Sequence, residues 1–247
     1  MSKNNFYHLK KVEDFCLRDN RWVSLDWRLK PNNLAQLKKE LSVAKQYAKK
    51  RFVNKIEVLL PITIPQELAE LLYSENFKPA LVELKFDLKK FTQASYNIAN
   101  LNFSSQIKNK SALKDLLIEQ ADFHHQNLPD YYLAAREINW FFYLRQFLND
   151  ATKENGLLLL IEDKGDLSGL VLGEYLGKTA FIWELVVCQK KRHFHLGSYL
   201  LNQYLAKLKD LGIARVYLET MSNSYARSWY QHQGFTEVSQ SWFSRLK

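Results

Sequence analysis

The chain has little cysteine and no long hydrophobic run. Its two cysteines, Cys16 and Cys188, are too few for a disulfide framework or a metal cluster, so we expect a reducing, cytoplasmic compartment. Apolar runs such as GLLLLI at residues 156–161 fall far short of the roughly 20 residues that a membrane-spanning helix needs. The opening stretch, MSKNNFYHLKKVED, lacks the apolar core of a signal peptide. We therefore expect no membrane segment, and no spacing of possible ligands predicts a metal site.

Glycine and proline are scarce and unevenly distributed. All eight glycines lie within residues 156–234, and all five prolines lie within residues 31–129. Charge is uneven too, because residues 1–110 hold 20 Lys and Arg against 11 Asp and Glu, whereas the remainder holds 15 of each. These shifts predict two domains. The predicted limits are a first domain at 1–92, a linker at 93–104 and a second domain at 105–247.

The basic first part has two interpretations. It can face an anionic partner such as a phosphorylated substrate, a nucleic acid or an acidic protein. It can also consist of solvated lysines on helix faces, as in KKELSVAKQYAKKR at residues 38–51. Aromatic and basic residues do not alternate there as they do on nucleic-acid surfaces, so a nucleic-acid partner is not favoured.

Hydrophobic periodicity predicts helices and strands along most of the chain. In the first part we predict helices at 34–50 and 65–75 and strands at 55–60 and 80–88. In the second part we predict helices at 111–124, 131–148, 196–211 and 223–233, and strands at 157–162, 167–176, 179–188, 213–220 and 237–243. Ser111 and Asn223 are predicted to cap the helices that they begin. The polar stretch 89–105 is predicted to be a linker or to hold one more strand.

A basic loop, QKKRHFH at residues 189–195, joins a predicted strand to the long helix at 196–211. The unpaired backbone N–H groups and the dipole at a helix N-terminus favour phosphate oxygens. A glycine in such a loop lets the backbone approach a ligand closely. This arrangement predicts an anion site, although one glycine and a few basic residues carry little specificity by themselves.

Two motifs resemble the signatures of the GNAT acyltransferase superfamily. The segment 192–197, RHFHLG, resembles the signature (Q/R)-x-x-G-x-(G/A), which opens a helix after a central strand. The signature N-x-x-A-x-x-x-Y-x-x-x-G-F is matched by Asn223, Ala226, Tyr230, Gly234 and Phe235. The element order from residue 111 onward is also that of the family. The resemblance implies an α+β fold with a mixed, mostly antiparallel sheet flanked by helices, preceded by a smaller GNAT-like α/β domain.

The resemblance implies direct transfer of an acetyl group from acetyl-CoA to a primary amine, without a metal or a covalent enzyme intermediate. The backbone of Leu185 and Val187 would pair with the pantetheine arm. The full set of implied coenzyme-binding residues is Leu185, Val186, Val187, Arg192, His193, His195, Leu196, Gly197, Ser198, Asn223 and Tyr230.

His195 stands where the signature has its first glycine. A side chain there can block the diphosphate or strain a backbone angle that glycine adopts easily. Histidine, however, tolerates positive φ better than most residues, and its imidazole can donate to a phosphate. We expect coenzyme binding to be retained.

Acetyl transfer to an amine needs a base, an oxyanion donor and an acid. Glu184 lies in an otherwise apolar strand, where loss of hydration favours proton uptake by a carboxylate, and it matches the family's strand glutamate. The alternative is a glutamate in a salt bridge or reaching solvent at a bulge. Tyr230 matches the family's general acid, and its alternative is a core tyrosine beside Trp229.

The acceptor would lie near the loop between the first two helices of the second domain. His124 and His125 fall where GNAT enzymes place a substrate-binding loop, and Asp130, Tyr131 and Tyr132 follow. We predict that His124, Asp130 and Tyr131 contact the acceptor. Adjacent histidines at a helix end are, however, more often solvated than catalytic.

The first part resembles a degenerate copy of the second. Residues 71–77, LLYSENF, are a loose copy of 229–235, WYQHQGF, but no pyrophosphate loop accompanies them. This architecture resembles that of dTDP-fucosamine acetyltransferases, which acetylate an amino group on a nucleotide-linked sugar. The leading interpretation is an N-acetyltransferase acting on a small amine, with a dimer possible. A protein or peptide N-acetyltransferase and a non-catalytic GNAT-like module that binds an anionic partner remain alternatives.

Overall fold

A computed structural model gives the fold. It describes residues 7–11, 21–26, 34–50, 53, 55–96, 101–128, 132, 135–163, 165–192 and 194–246. The strands are β1 (Tyr7–Lys11), β2 (Arg21–Asp26), β3 (Lys55–Pro61), β4 (Lys78–Asp87), β5 (Leu101–Ser104), β6 (Gly156–Asp163), β7 (Asp166–Leu176), β8 (Thr179–Val187), β9 (Arg215–Met221) and β10 (Thr236–Arg245). The helices are α1 (Leu34–Lys50), α2 (Gln66–Ser74), α3 (Lys110–Asn127), α4 (Trp140–Ala151), α5 (Leu196–Asp210) and α6 (Tyr225–His232).

Within the described residues, ten strands form one sheet in the order β1-β2-β3-β10-β4-β9-β8-β7-β6-β5. The pairs β2–β3 and β8–β9 are parallel, and the other described pairs are antiparallel. The predicted mixed, mostly antiparallel sheet is therefore confirmed. No helix in the described part of the chain is long and apolar enough to cross a membrane.

Helices pack on both faces of the sheet. The apolar run of β6 is buried on both faces, because successive strand residues point to opposite sides. Leu158 and Leu160 pack with α3 and α4, whereas Leu159 and Ile161 pack with α5. Strand register places α1 and α2 on the same face as α5 and α6. On the opposite face, Tyr132 packs over a cluster from three central strands, which consists of Ala80, Leu81, Met221 and Phe243.

The two parts of the chain interleave in the sheet. The C-terminal strand β10 lies between β3 and β4, and β4 lies between β10 and β9. The two strands of the segment β3-α2-β4 thus lie on either side of β10. In the same way, the two strands of the segment β9-α6-β10 lie on either side of β4. The predicted domain limits at 92 and 105 stay a prediction. Strand β5 falls inside the predicted linker, which agrees with the alternative that this stretch holds a strand.

Three predicted helix starts are wrong. Helix α3 is capped by Asn109 and not by Ser111, because the Asn109 side chain accepts from the Ala112 N–H at 3.0 Å. Asn223 is not a cap either. The backbone N–H of Ser224 donates to the Met221 carbonyl in a turn, and this turn delays the start of α6 to Tyr225.

The third correction concerns the helix predicted at 131–148. Helix α4 begins only at Trp140, after a short 3₁₀ turn at Ala135–Glu137. The backbone of Ala135 is bonded by side chains and not by the hydrogen bonds of a regular helix. Asp122 accepts its N–H at 3.0 Å, and the Trp140 indole donates to its carbonyl at 2.9 Å. The sequence analysis also made no prediction for β1 and β2.

Candidate active site

A gap opens between β8 and β9, two neighbouring parallel strands of the sheet. Strands β8 and β9 pair only from Thr179 opposite Arg215 to Ile182 opposite Leu218. The rest of β8 still pairs with β7, where Leu185 lies opposite Val171. Backbone groups on the other edge of β8 therefore face the gap and can pair with an extended ligand. The predicted pantetheine contacts, Leu185, Val186 and Val187, lie in this part of β8, where the Val187 carbonyl already accepts from Arg192.

A bulge in β8 lies directly before Glu184. The β7–β8 register shifts between Leu172 and Gly173, where Leu172 is opposite Glu184 and Gly173 is opposite Ile182. Trp183 is the extra residue, and 53% of its surface is exposed. A bulge bends the strand and changes the direction of the next side chain. It therefore contributes to the placement of Glu184 at the gap.

Two neutral donors hold the Glu184 carboxylate. The Gln120 amide of α3 donates to Oε2 at 2.5 Å, and the Tyr143 hydroxyl of α4 donates to Oε1 at 3.0 Å. The side chain is half-buried. The carboxylate is thus fixed by two helices that pack over the β6–β8 side of the sheet. Neither donor carries a charge.

Tyr230 lies near the same carboxylate. Its side chain is buried beside the rings of Trp229 and Phe235. Burial, and next to it the charge of Glu184, raise the pKa of the Tyr230 phenol well above its ordinary value. The phenol therefore stays protonated at neutral pH. Its packing also places Tyr230 in the core. The surroundings of Tyr230 thus include features of both interpretations, a core tyrosine beside Trp229 and a general acid, and the role of acid stays a prediction.

His195, before the N-terminus of α5, has a backbone conformation that glycine adopts easily. His195 precedes the helix with φ of 59° and ψ of 9°, the left-handed region that glycine favours. Its side chain is exposed. Gly197 lies close to α6, because an added Cβ would stand 3.5 Å from the Trp229 ring. Leu196 is buried, Ser198 is half-buried, and His193 lies outside the described residues.

Arg192 connects this loop to α3. Its Nε donates to the Val187 carbonyl at 3.1 Å, and a terminal nitrogen donates to the Glu119 carboxylate at 2.6 Å. The guanidinium also lies 5.8 Å from the centre of the Phe123 ring. The contacts of Arg192 thus bring α3 against the end of β8.

The acceptor side is formed by the end of α3 and Tyr132. The rings of His124 and Tyr132 are 4.8 Å apart, and the Tyr132 carbonyl is 2.8 Å from Nδ1 of His125. Burial lowers the pKa of His124 to about 4, so this imidazole is neutral at pH 7. Asp130 and Tyr131 lie outside the described residues. Asn223 is exposed in the turn between β9 and α6.

Three carboxylates affect the pKa of the Tyr132 phenol. Burial raises the pKa of its phenol first, and the charges of Glu219, Glu184 and Glu57 raise it further. These carboxylates come from β9, β8 and β3, so both parts of the chain contribute to one acidic surrounding. No group of three or more His, Cys, Asp or Glu in the described part of the chain has the arrangement of a metal site.

The sequence analysis missed two residues that contact Glu184. Gln120 carried a signal, because it continues the apolar face of α3 formed by Leu113, Leu116 and Leu117. A polar residue at a position facing the sheet calls for a buried partner. Tyr143 carried none, since its partner depends on how α4 packs. Together, the gap, the helix N-terminus, a carboxylate and a protonated phenol suit acyl transfer from a thioester.

Comparison with known proteins gives a family model that matches part of the chain. Residues 114–235 match the model of the acetyltransferase (GNAT) family, a segment that runs from α3 to the residue before β10. No curated protein matches the chain in sequence.

Several solved structures share the fold. A GCN5-related N-acetyltransferase from Sphaerobacter thermophilus gives a TM-score of 0.66 at 13% identity, over 92% of this chain and 74% of that one. A tandem GNAT protein from the clavulanic acid biosynthesis pathway gives 0.55 at 14% identity, over 91% and 75%. The PaiA N-acetyltransferase from Thermoplasma acidophilum, in complex with coenzyme A, gives 0.50 at 17% identity, over 57% and 97%. At such identities the similarity shows the fold, and the predicted GNAT fold is confirmed.

Proposed function

From the match of residues 114–235 to the model of the GNAT acetyltransferase family, we propose that the protein is an acetyl-CoA-dependent N-acetyltransferase acting on a primary amine of a small molecule. The observation that carries the proposal is the pairing of Glu184 with Tyr230. A carboxylate held at the β8–β9 gap acts electrostatically on a buried, protonated phenol. The two groups supply the base and the acid that acetyl transfer to an amine needs.

Glu184 is the proposed base. An amine attacks a thioester carbonyl only when it is neutral, so one proton must leave the ammonium form of the acceptor. The Glu184 carboxylate, which Gln120 and Tyr143 hold, can take the proton directly or through a water molecule.

Tyr230 is the proposed acid. The phenol keeps its proton at neutral pH because burial and the Glu184 charge raise its pKa. It can donate a hydrogen bond, and then a proton, to the sulfur that leaves when the tetrahedral intermediate collapses. The position of Tyr230 in a packed cluster of aromatic rings fixes the direction of this donor.

The residues at the gap fit a coenzyme A thioester. The free edge of β8 offers backbone groups to the amides of pantetheine, and the first N–H groups of α5 suit a diphosphate. His195 has a left-handed backbone, which glycine adopts easily, and this supports retained coenzyme binding. The complex of the Thermoplasma acidophilum relative with coenzyme A further supports this donor. The bound thioester would supply the activated acetyl group.

The acceptor is proposed to be a positively charged amine. Glu57, Glu184 and Glu219 surround Tyr132 and would attract an ammonium group. The same charges disfavour a nucleotide diphosphate, and no comparison supports a dTDP-linked sugar as the acceptor. The predicted dimer and cytoplasmic location stay predictions.

The test is calorimetric titration of the purified protein with acetyl-CoA, followed by assays of thiol release with a panel of amines. We expect micromolar binding and transfer to a diamine such as putrescine in preference to a nucleotide-linked amino sugar. A protein that shows neither binding nor thiol release would contradict the proposal. It would then favour the non-catalytic binding module, which salt-dependent binding to nucleic acid or to an acidic protein would identify.

A further inference from the structure

We propose that Gln120 and Tyr143 are positioning residues that hold Glu184 in the orientation of a base. The inference rests on the proposed function and extends the reacting machinery from β8 to two helices. Both donors reach the same carboxylate but different oxygens, at 2.5 Å for Gln120 and 3.0 Å for Tyr143. Two bonds to two oxygens fix the plane of the carboxylate, which one bond cannot do.

The chemistry of the two donors suits a base. A lysine or arginine partner would stabilise the carboxylate charge strongly and weaken its pull on a proton. An amide and a phenol orient the group with a smaller effect of this kind, because neither is charged.

The two helices are anchored independently of these bonds. Helix α3 packs on the sheet through Leu113, Leu116 and Leu117, and α4 packs through Phe147. Glu119, next to Gln120, bonds Arg192 at the end of β8. A side chain on a helix held in this way has little freedom, so its donor can set the direction of Glu184.

Other groups also face the Glu184 carboxylate among the described residues. They are the Tyr230 phenol of α6 and the Tyr132 phenol after α3, both of which sense its charge. Both phenols stay protonated at neutral pH. The difference between the acidic limbs of a variant and of the wild type therefore reports the donor that the variant lacks.

The experiment compares Tyr143→Phe and Gln120→Met with the wild type, using acetyl-CoA and the best amine of the panel. A hydrogen bond to a charged group is worth enough that each variant should lose about ten- to a hundredfold in kcat. The KM for acetyl-CoA should stay unchanged, because neither residue lies at the coenzyme edge of β8. The acidic limb of kcat/KM should move to higher pH, since the charged form of the base loses a donor.

The double variant and a matched control complete the test. If both residues hold one carboxylate, the double variant should lose less than the product of the two single losses. Tyr175→Phe removes a phenol that donates to the Glu154 carbonyl at 3.3 Å, away from the site, and should behave as wild type. Thermal unfolding of each variant separates a loss of folded protein from a loss of rate.

The outcomes separate the two proposals. Retention of kcat within about twofold in both single variants, while Glu184→Gln is inactive, would overturn the positioning role alone. A wild-type protein that transfers acetyl to no amine would overturn the proposed function itself. A fall in activity that follows thermal stability and leaves the pH profile unmoved would show a merely structural role and so contradict the inference.

Discussion

Val82 of β4 lies directly opposite Gln240 of β10, and this pair marks the centre of an internal two-fold relation. The same offset of 158 residues that separates them also relates Phe77 to Phe235. Strands β4 and β10 are antiparallel, so each contacts its own counterpart at the centre of the sheet. The last strand of each unit, β4 or β10, thus pairs with the first strand of the other unit, β9 or β3.

The turns before these strands are alike in detail. The Phe77 N–H donates to the Leu72 carbonyl at 2.8 Å, and the Phe235 N–H donates to the Tyr230 carbonyl at 3.1 Å. Asn76 and Gly234 precede the two phenylalanines with φ of 62° and 93°. The first unit has Leu72 where the second has Tyr230, so it keeps the geometry of the turn without the phenol. The first unit thus lacks a counterpart of the proposed acid.

The Gly234 turn gives a first prediction. Gly234→Ala should lower the free energy of unfolding by about 1–3 kcal/mol, since a side chain at positive φ is strained. The new Cβ would also stand 3.0 Å from the Phe86 ring. The control is Gly165→Ala, which has φ of 90° and no atom within 4 Å of the added Cβ. Chemical denaturation should show the larger loss at Gly234, and equal losses would refute the role of Phe86.

Tyr230→Phe tests the proposed acid. The variant keeps the ring and its packing but cannot donate a proton, so kcat should fall about a hundredfold or more. The affinity for acetyl-CoA in calorimetry should not change, because the phenol acts on the leaving sulfur. A variant with full turnover would show that Tyr230 is only a core residue.

The left-handed backbone at His195 gives a third prediction. A Cβ in this conformation costs about 1–2 kcal/mol, so His195→Gly should be more stable than His195→Ala by about 1 kcal/mol. The reverse order is expected in the middle of α5, where Gln203→Ala should be more stable than Gln203→Gly by about 1 kcal/mol. Thermal unfolding of the four variants measures both differences. The same order at both positions would contradict the left-handed assignment.

Local patterns predict most of the fold, and packing decides the rest. The predicted helix at 34–50 matches α1 because its apolar residues repeat with helical spacing. The start of α4 is wrong by nine residues, since the bonds to Ala135 come from the side chains of Asp122 and Trp140. Strand β2 is parallel to β3, a pairing between distant segments that leaves little local signal.

The candidate site also combines residues that local patterns predict with residues that only packing reveals. Tyr230 was predicted from a motif and Glu184 from its place in an apolar strand, and both patterns are local. Gln120 and Tyr143 bond Glu184 across 64 and 41 positions of sequence, and their roles depend on how α3 and α4 pack against β8. Only the polar interruption in the apolar face of α3 marked Gln120 in advance.

Burial of His124 predicts a dependence of stability on pH. Its pKa is lowered from 6.5 to about 4 in the folded state, so the unfolded chain binds its proton first as the pH falls. The free energy of unfolding should therefore decrease as the pH drops from 6.5 towards 4, by about 3 kcal/mol from this group. His124→Gln cannot take up the proton and should remove that part of the decrease.

The measurement is urea denaturation between pH 7 and pH 4 for the wild type and for two variants. His232→Gln is the matched control, because His232 is exposed on α6 and its ring bonds only the Ser228 carbonyl among the described residues. The difference in the free energy of unfolding between wild type and His124→Gln should change steadily with pH. Carboxylates titrate in the same range but cancel in these differences, since they are common to all three proteins. A pH-independent difference for His124→Gln would mean that the imidazole is hydrated, and the packing of His124 against Tyr132 would then not define the acceptor side.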